Sequence, residues 1–398
     1  MKVLQINCVY GHGSTGTLTR DLHHYLQEQG IQSLVCYGRG NTAKDPGVFR
    51  ICSETYAKGQ HLLSCIRGIP YGGCLLSTWR LLGIIGREKP DVVHLQCCNG
   101  YFVNLYLLLS RLKRNRIPTV LTLHAEFPYT GNCAHAFDCE KWKTGCGNCP
   151  RWKASPHSFF FDRTACSYRK MREAVRGFGP KLTAVSVSSW LRRRAEQAPV
   201  LDGVNHCVIT NGIDTEIFTY RPGKQPIRER ILFHATALFS DDPSHPKGGY
   251  YLLELARQME NQPVRFLVAG KHRINGEIPP NVTLLGEIRD QNRLAQYYSA
   301  ADLTILTSRA ESFSLVCAES LCCGTPVAGF RAGGPEEIAL KEYSRFVEFG
   351  DVEQLLAAVQ EMLDTWSCDP EAVSRTARKY YGKEHMLQNY LKLYQGVL

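Results

Sequence analysis

Residues 303–330 read LTILTSRAESFSLVCAESLCCGTPVAGF. The apolar run Leu303–Ser308 has the composition of a buried strand, Ser314–Cys323 that of a short helix, and Pro326–Phe330 that of a second strand. A strand, a helix and a strand in so short a span make a crossover unit, which pairs its strands in parallel. The same stretch carries two acids, Glu311 and Glu319, eight residues apart. On a helix, Glu319 falls between Leu315 and Val316 around the axis, inside an apolar stripe. A carboxylate buried there without a partner is costly, so a cation or a hydroxyl-rich ligand should meet it. Either acid alone would pass as a tolerated rim residue or a solvated loop acid; their pairing and setting favour a site.

The alternation of strand and helix extends outward in both directions. Downstream, RFVEF at Arg345 is a further strand, followed by a helical run at Val352–Trp366. Upstream lie ILFHATA at Ile231, VRFLVAG at Val264 and VTLLG at Val282, with helical runs at Gly249–Glu260 and Asp290–Ala300. An earlier series begins with Lys2–Val9, a glycine-rich loop, and a helix with Leu18, Leu22, Tyr25 and Leu26 on one face. Ile31–Tyr37, Asp91–Leu95, Pro118–His124 and Lys181–Val187 continue it as strands. Between the two series, the Asn-Gly turn in Cys207–Asp214 and the following Arg221, Pro222 and Gly223 read as a linker. The expected fold is α/β: two doubly wound, Rossmann-like domains, residues 1–200 and 205–380, facing a central cleft that is the default ligand site. A last helical stretch, Lys383–Gln395 within residues 381–398, is expected to pack back towards the first domain.

The 398 residues are enough for two cores, and 44% are hydrophobic, as in globular domains. Lys and Arg number 47 against 37 acids, a net +10, with basic runs at Arg111–Arg116, Lys170–Lys181 and Arg192–Arg194. Such an excess suits phosphorylated substrates, anionic lipid or nucleic acid, although solvated helix faces are the ordinary source of each run. No signal-peptide pattern opens the chain, and the apolar stretches at Leu75–Gly86 and Val103–Ser110 fall short of the ~20 residues a spanning helix needs. A cytoplasmic protein, at most peripheral to the inner face of the plasma membrane, is expected. Its 17 cysteines should then be reduced thiols.

Gly11, Gly13 and Gly16 match G-x-G-x-x-G between a strand and a helix, but the second strand ends Val35-Cys36-Tyr37-Gly38-Arg39 without the acid that holds a dinucleotide ribose. A loop admitting some other phosphate or sugar fits better; a plain tight turn is the alternative. Lys247, in SHPKGG, precedes a helix at the carboxyl end of a strand, where phosphate-bearing ligands bind doubly wound sheets. The amides opening the Ser314 helix should point to the same edge, so helix dipole and lysine could hold a diphosphate together. No Asp-x-Asp occurs, which favours a site without a bridging cation. His94 and His124 end neighbouring strands, and His124, followed by Glu126 and Tyr129 in an irregular loop, is the better candidate.

That loop, residues 133–149, holds Cys133, Cys139, Cys146 and Cys149, where even scattering would place about 0.7 cysteines. Cys146-Gly-Asn-Cys149 has the two-residue spacing that lets two thiolates face one tetrahedral ion. A structural zinc is expected, against four packed thiols or a reversible disulfide. Cys97-Cys98 and Cys322-Cys323 read as small core residues.

These residues resemble the retaining glycosyltransferases of family four, also called glycosyltransferase group one, which have the GT-B fold. Glu311 and Glu319 match its E-x7-E element, Lys247 its donor-site lysine, Asn211–Asp214 (NGID) the segment entering its donor domain, and His124 a histidine common after the corresponding strand. The cysteine-rich loop looks like a variant seen in transferases building surface polysaccharides. The resemblance implies a nucleotide-sugar donor, UDP-sugars among the candidates, and a glycan or polyprenyl-diphosphate-linked acceptor, in exopolysaccharide, capsule or O-antigen synthesis. No cofactor is implied for catalysis. Glu319 would hold the ribose hydroxyls and Glu311 those of the sugar, with Ser314, Leu315, Asn211 and Gly13 at the donor and His124 beside the reacting sugar. Lys247 and the helix terminus would stabilise the departing diphosphate. The chain departs from the pattern in two places: Ala125 follows the histidine, and Ala237–Pro246 lacks the arginine that often accompanies the lysine, for which Arg273 is a substitute. A nucleotide-sugar epimerase of the same architecture would need no acceptor. A nucleic-acid-binding protein with a zinc module would leave Glu319 without a use and lacks aromatic-basic interleaving.

Overall fold

The apolar runs form strands that pair in parallel throughout, in two separate sheets. The computed structural model describes residues 1–154, 157–223 and 229–398, which include every candidate site residue. Two compact units emerge, residues 1–210 with 386–398, and residues 211–385.

The first unit contains β1 (Lys2–Asn7), α1 (Gly13–Glu28), β2 (Gln32–Tyr37), β3 (Val48–Arg50), α2 (Glu54–Arg67), α3 (Leu75–Glu88), β4 (Val92–Leu95) and α4 (Leu105–Arg114). It continues with β5 (Thr119–Leu123), α5 (Thr164–Val175), β6 (Leu182–Ser186), α6 (Ser189–Glu196) and β7 (Asn205–Val208). Its seven strands lie in the order β3-β2-β1-β4-β5-β6-β7. The central strands are buried on both faces because helices cover both, as parallel sheets require. Leu18, Leu22 and Leu26, one helical turn apart, press α1 onto Val3, Val92 and Val120. Two strands lay outside the expected set. β3 is a three-residue edge strand, and β7 uses the start of the stretch read as linker.

The second unit contains β8 (Arg230–Ser240), α7 (Gly249–Gln258), β9 (Val264–Arg273), β10 (Val282–Gly286), α8 (Gln291–Ala300), β11 (Leu303–Leu306), α9 (Leu315–Cys322) and β12 (Val327–Phe330). Then follow α10 (Pro335–Ile338), β13 (Ser344–Val347), α11 (Val352–Thr365), α12 (Pro370–Tyr381) and α13 (Lys383–Gly396), whose residues from Met386 onward belong to the first unit. The sheet order is β10-β9-β8-β11-β12-β13. The crossover unit of residues 303–330 thus forms as read, with Ile305 opposite Ala328 in register. Small side chains bring α9 close to the sheet: Cys317, Ala318, Ser320 and Cys322 are buried, and the Ser320 hydroxyl donates to Thr304 Oγ1 at 2.8 Å.

In both sheets the order reverses beside the first strand, between β1 and β4 and between β8 and β11. Loops leaving adjacent strands in opposite directions open a crevice at that point. Of the candidate residues, Lys247 and Glu311 lie on the loops after β8 and β11, and Gly13 opens the helix after β1.

Candidate active site

In the second unit, the loops after β8 and β11 are laced together. Arg309 N–H donates to Pro246 O at 2.8 Å, and Thr307 Oγ1 to Lys247 O at 3.1 Å. Gly248 permits this approach: its φ is +66°, and a Cβ there would lie 1.9 Å from Thr307 O. The lacing brings Lys247 Nζ to 2.8 Å from Glu311 Oε1, which also accepts from the Ser308 hydroxyl at 2.7 Å. Burial alone would raise the Glu311 carboxyl, but the Lys247 ammonium and hydrogen bonds from Ser308 and Ser314 outweigh it and hold the group at about 2. Glu311 is therefore ionised at any working pH. Its backbone is fixed as well, by Glu311 N–H to Ala332 O (2.9 Å) and Gly334 N–H to Glu311 O (2.8 Å).

Ser314 caps α9 rather than opening it, its hydroxyl accepting from Cys317 N–H at 3.4 Å. At φ +80° it is a non-glycine residue in the left-handed region, a strain that the surrounding contacts must hold in place. Leu315 and Val316 start the helix, partly exposed, and their N–H groups have no intrahelical acceptor. The unit thus presents a lysine, an ionised acid and a helix N-terminus at its switch point.

Glu319, on the second turn of α9, finds its protein partner in the Tyr298 hydroxyl of α8, which donates to Oε2 at 3.2 Å. No cation meets it among the described residues. The residue keeps some surface, yet burial pushes its carboxyl up to about 8, against the lowering effect of the Tyr298 bond. The folded chain holds this proton far above the range where the unfolded chain loses it, so stability should fall as pH rises from about 4.5 towards 8. Glu319→Gln is expected to be more stable than the parent by about 1–2 kcal/mol at pH 8 and less so at pH 5. Urea titrations at the two pH values measure this; equal differences at both would show that the carboxyl is not raised.

Beneath the pair, His234 of β8 is buried with Nδ1 2.9 Å from Ile305 O, and burial pushes its imidazole down to about 4. Its Nε2 has no partner among the described residues. Ser308, Tyr298, Gly248 and His234 had no part in the expected site. Only Gly248, in the Lys-Gly-Gly run, carries a local signal; the others matter through where the fold brings them.

Two expected donor residues lie on other elements. Arg273 ends β9 in register with Ser240, its side chain exposed, and among the described residues it makes no ion pair with Glu311. Asn211 precedes a stretch clamped to the junction of α12 and α13: Ile213 N–H donates to Tyr381 O at 2.8 Å, and Asp214 pairs with Lys383 at 2.7 Å. A Cβ on Gly212 would lie 2.4 Å from Lys383 Cα, so glycine is required there.

In the first unit, Gly13 begins α1 with φ +64° and open space around its Cβ position. His124 follows β5, its Nε2 3.0 Å from Gln96 Oε1. Since that oxygen only accepts, Nε2 carries the proton and Nδ1 is left as an acceptor. Burial holds the ring down at about 4, hence neutral. His94 is structural instead: Nδ1 meets the Tyr394 hydroxyl at 2.6 Å and Nε2 meets Thr122 Oγ1 at 2.7 Å.

The structure does not show the expected zinc centre in the cysteine-rich loop. Among the described residues no group of three or more Cys, His, Asp or Glu side chains is placed to hold a metal ion, Cys133, Cys139, Cys146 and Cys149 included. Cys146 Sγ accepts from Gly131 N–H at 3.1 Å, and burial pushes the thiol up to about 12, the other three thiols adding to the rise. Glu126 organises the loop. It is fully buried and accepts from Tyr129 Oη (2.9 Å), Ala136 N–H (2.6 Å) and Arg194 Nε (2.7 Å). The Arg194 guanidinium lies over Trp142 at 4.9 Å, and Trp142 donates to Cys139 O at 2.7 Å. No disulfide joins any of the 17 cysteines.

Comparison with known proteins follows the same division of the chain. Residues 15–217 match the family model described as Glycosyltransferase Family 4, and residues 234–365 that described as Glycosyl transferases group 1. A putative colanic acid biosynthesis glycosyl transferase, WcaC of Escherichia coli K12, is 24% identical, with 100% of each chain covered. A D-inositol 3-phosphate glycosyltransferase of Mycolicibacterium smegmatis is 28% identical over 44% of this chain and 42% of its own. Among solved structures, sucrose-phosphate synthase from Thermosynechococcus elongatus superposes with a TM-score of 0.68 at 15% identity, covering 100% of this chain and 99% of its own. Anabaena HepE in complex with UDP does so with a TM-score of 0.64 at 16% identity, covering 100% of both. These structures share the two-domain GT-B fold, and the chain belongs to glycosyltransferase family 4.

Proposed function

We propose that this glycosyltransferase moves a hexosyl group from a UDP-sugar to a glycan or polyprenyl-diphosphate-linked acceptor, with retention of anomeric configuration, in surface polysaccharide synthesis. The observation that carries the reading is Lys247 held 2.8 Å from the ionised Glu311 beside the open N-terminus of α9. Breaking a glycosidic bond to diphosphate leaves positive charge on the sugar and negative charge on the phosphate. Lys247 and the helix amides would take the phosphate charge, and Glu311 the sugar hydroxyls. Glu319 and Tyr298, already hydrogen-bonded to each other, would receive the ribose diol. His124, neutral with Nδ1 free, is suited to accept a hydrogen bond from a sugar hydroxyl. No step of this scheme uses a cofactor.

The choice of UDP is supported by HepE, solved with UDP and with UDP-glucose, and the choice of acceptor by WcaC. Melting the protein with UDP-, GDP- and ADP-sugars tests the donor, because a ligand of the folded state raises the melting temperature once its concentration exceeds Kd. UDP-sugars are expected to give a rise of a few degrees and the others none. NMR of the product bond would then read the anomer. Epimerisation of the donor by enzyme alone, or an inverted product, would overturn the proposal.

A further inference from the structure

Thirteen large hydrophobic side chains are exposed among the described residues, and nine of them fall on three adjoining segments of the first unit. On α2 they are Leu62, Leu63 and Ile66, one helical face; on α3 they are Leu75, Leu76 (74% exposed) and Trp79 (55%). The third segment is the run Phe159-Phe160-Phe161, each ring at least half exposed. The segments touch. Leu76 N–H donates to the Tyr56 hydroxyl at 3.3 Å, and Cys74 N–H to Gln60 Oε1 at 2.8 Å, tying α3 to α2. Phe159 N–H donates to Cys65 O at 2.8 Å, tying the phenylalanine run to the end of α2. Single exposed apolar residues need no explanation, but a gathered set does.

Cations surround the set. Residues 54–89 contain five, Lys58, Arg67, Arg80, Arg87 and Lys89, against two acids, of which Glu54 is paired with Arg39 and Glu88 with Arg87. Residues 103–118 add Arg111, Lys113, Arg114 and Arg116 and no acid. The guanidinium of Arg111 lies 5.7 Å from the Trp79 ring and that of Arg163 lies 5.2 Å from Phe161. A groove of about 410 Å³ beside Trp79 is lined by Leu82, Ile85 and Leu112 together with Lys89 and Arg111.

From this geometry we infer that α2, α3 and the Phe159–Phe161 run form a docking surface for an anionic lipid bilayer. Aromatic and aliphatic tips enter the headgroup boundary while the cations meet lipid phosphates, the division of labour of an interfacial anchor. A protein partner fits less well, since interface cores are depleted in charge and this set is ringed and crossed by it. No helix among the described residues is long and apolar enough to cross a membrane, so the association is peripheral. The inference stands independently of the sugar chemistry.

The test is co-sedimentation of the full chain with phosphatidylcholine vesicles, with and without phosphatidylglycerol. Binding is expected only with phosphatidylglycerol, and should weaken with salt. Replacing Phe159, Phe160 and Phe161 together by Ser should reduce partitioning roughly tenfold or more. Arg67→Glu with Arg80→Glu should reduce it by at least about fivefold per site. Leu76→Ser provides an independent variant on α3. Unchanged melting temperatures are expected throughout, because these side chains are exposed. Binding that ignores lipid charge, or variants that bind like the parent, would overturn the inference. So would a parent dimer, seen by sedimentation equilibrium, that the phenylalanine variant dissociates.

Discussion

Lys247→Ala is expected to slow sugar transfer by about two to three orders of magnitude, the loss typical when one preorganised donor to a developing negative charge is removed. Two effects combine. The departing diphosphate loses its nearest cation, and Glu311, 14% exposed at its side chain, loses the ammonium that keeps it ionised at about 2. Freed of that partner, burial should lift the carboxyl, and its hydrogen bonds to sugar hydroxyls would change character near neutral pH. The effect belongs in kcat more than KM, because the charge appears only as the bond breaks. Lys247→Arg should recover part of the rate. Adding Glu311→Gln to the alanine variant should restore stability without restoring turnover. Steady-state assays of nucleotide release measure all three, and a loss below about fivefold for Lys247→Ala would rule out leaving-group stabilisation by this residue.

Glu126→Ala should cost about 3–5 kcal/mol, the range for breaking a buried ion pair from one side. The Arg194 guanidinium is only 17% exposed and would be left without its carboxylate, and Tyr129 and the Ala136 amide would lose their acceptor. Urea unfolding followed by tryptophan fluorescence, to which buried Trp142 contributes, measures this cost. The double replacement Glu126→Ala/Arg194→Ala should cost less than the two single changes summed, since it removes the stranded charge. A cost below about 1 kcal/mol for Glu126→Ala would show that the ion pair does not hold the loop.

The two acids of the crossover unit could be placed from the sequence, and the acid of the cysteine-rich loop could not. Glu311 and Glu319 sit in a crossover unit whose periodicity fixes strand, helix and strand locally, so their elements could be placed from neighbours a few residues away. Lys247 could be assigned to the same sheet edge because parallel topology sends every such loop to one end of the strands. Glu126 looked like a loop acid beside a histidine; its partner Arg194 is 68 residues later, and no local pattern links them. The same limit applies to Tyr298, which meets Glu319 where no cation does among the described residues, and to His94, whose ring is taken up by Tyr394 and Thr122. The cysteine spacing suggested a metal because thiolates at short intervals can converge. Here the other three thiols do lie near Cys146, but among the described residues no group of three is placed to hold an ion, and the loop is organised by an ion pair and a tryptophan. The strand β7 was hidden because an Asn-Gly turn follows closely behind it.

The bond between His94 and Tyr394 spans 300 residues of chain, and Tyr390 adds another to Thr122 at 2.9 Å. Met386, Leu387, Tyr390 and Tyr394 pack with Val3, Leu22 and Val92 in one core. On the ribosome, therefore, the first sheet waits for the last helix while the whole second unit is synthesised in between. Until then β4 and β5 carry an open apolar face and a histidine without its phenol. A nascent chain that stalls before residue 386 should be a chaperone client, even though most of its fold has already been made.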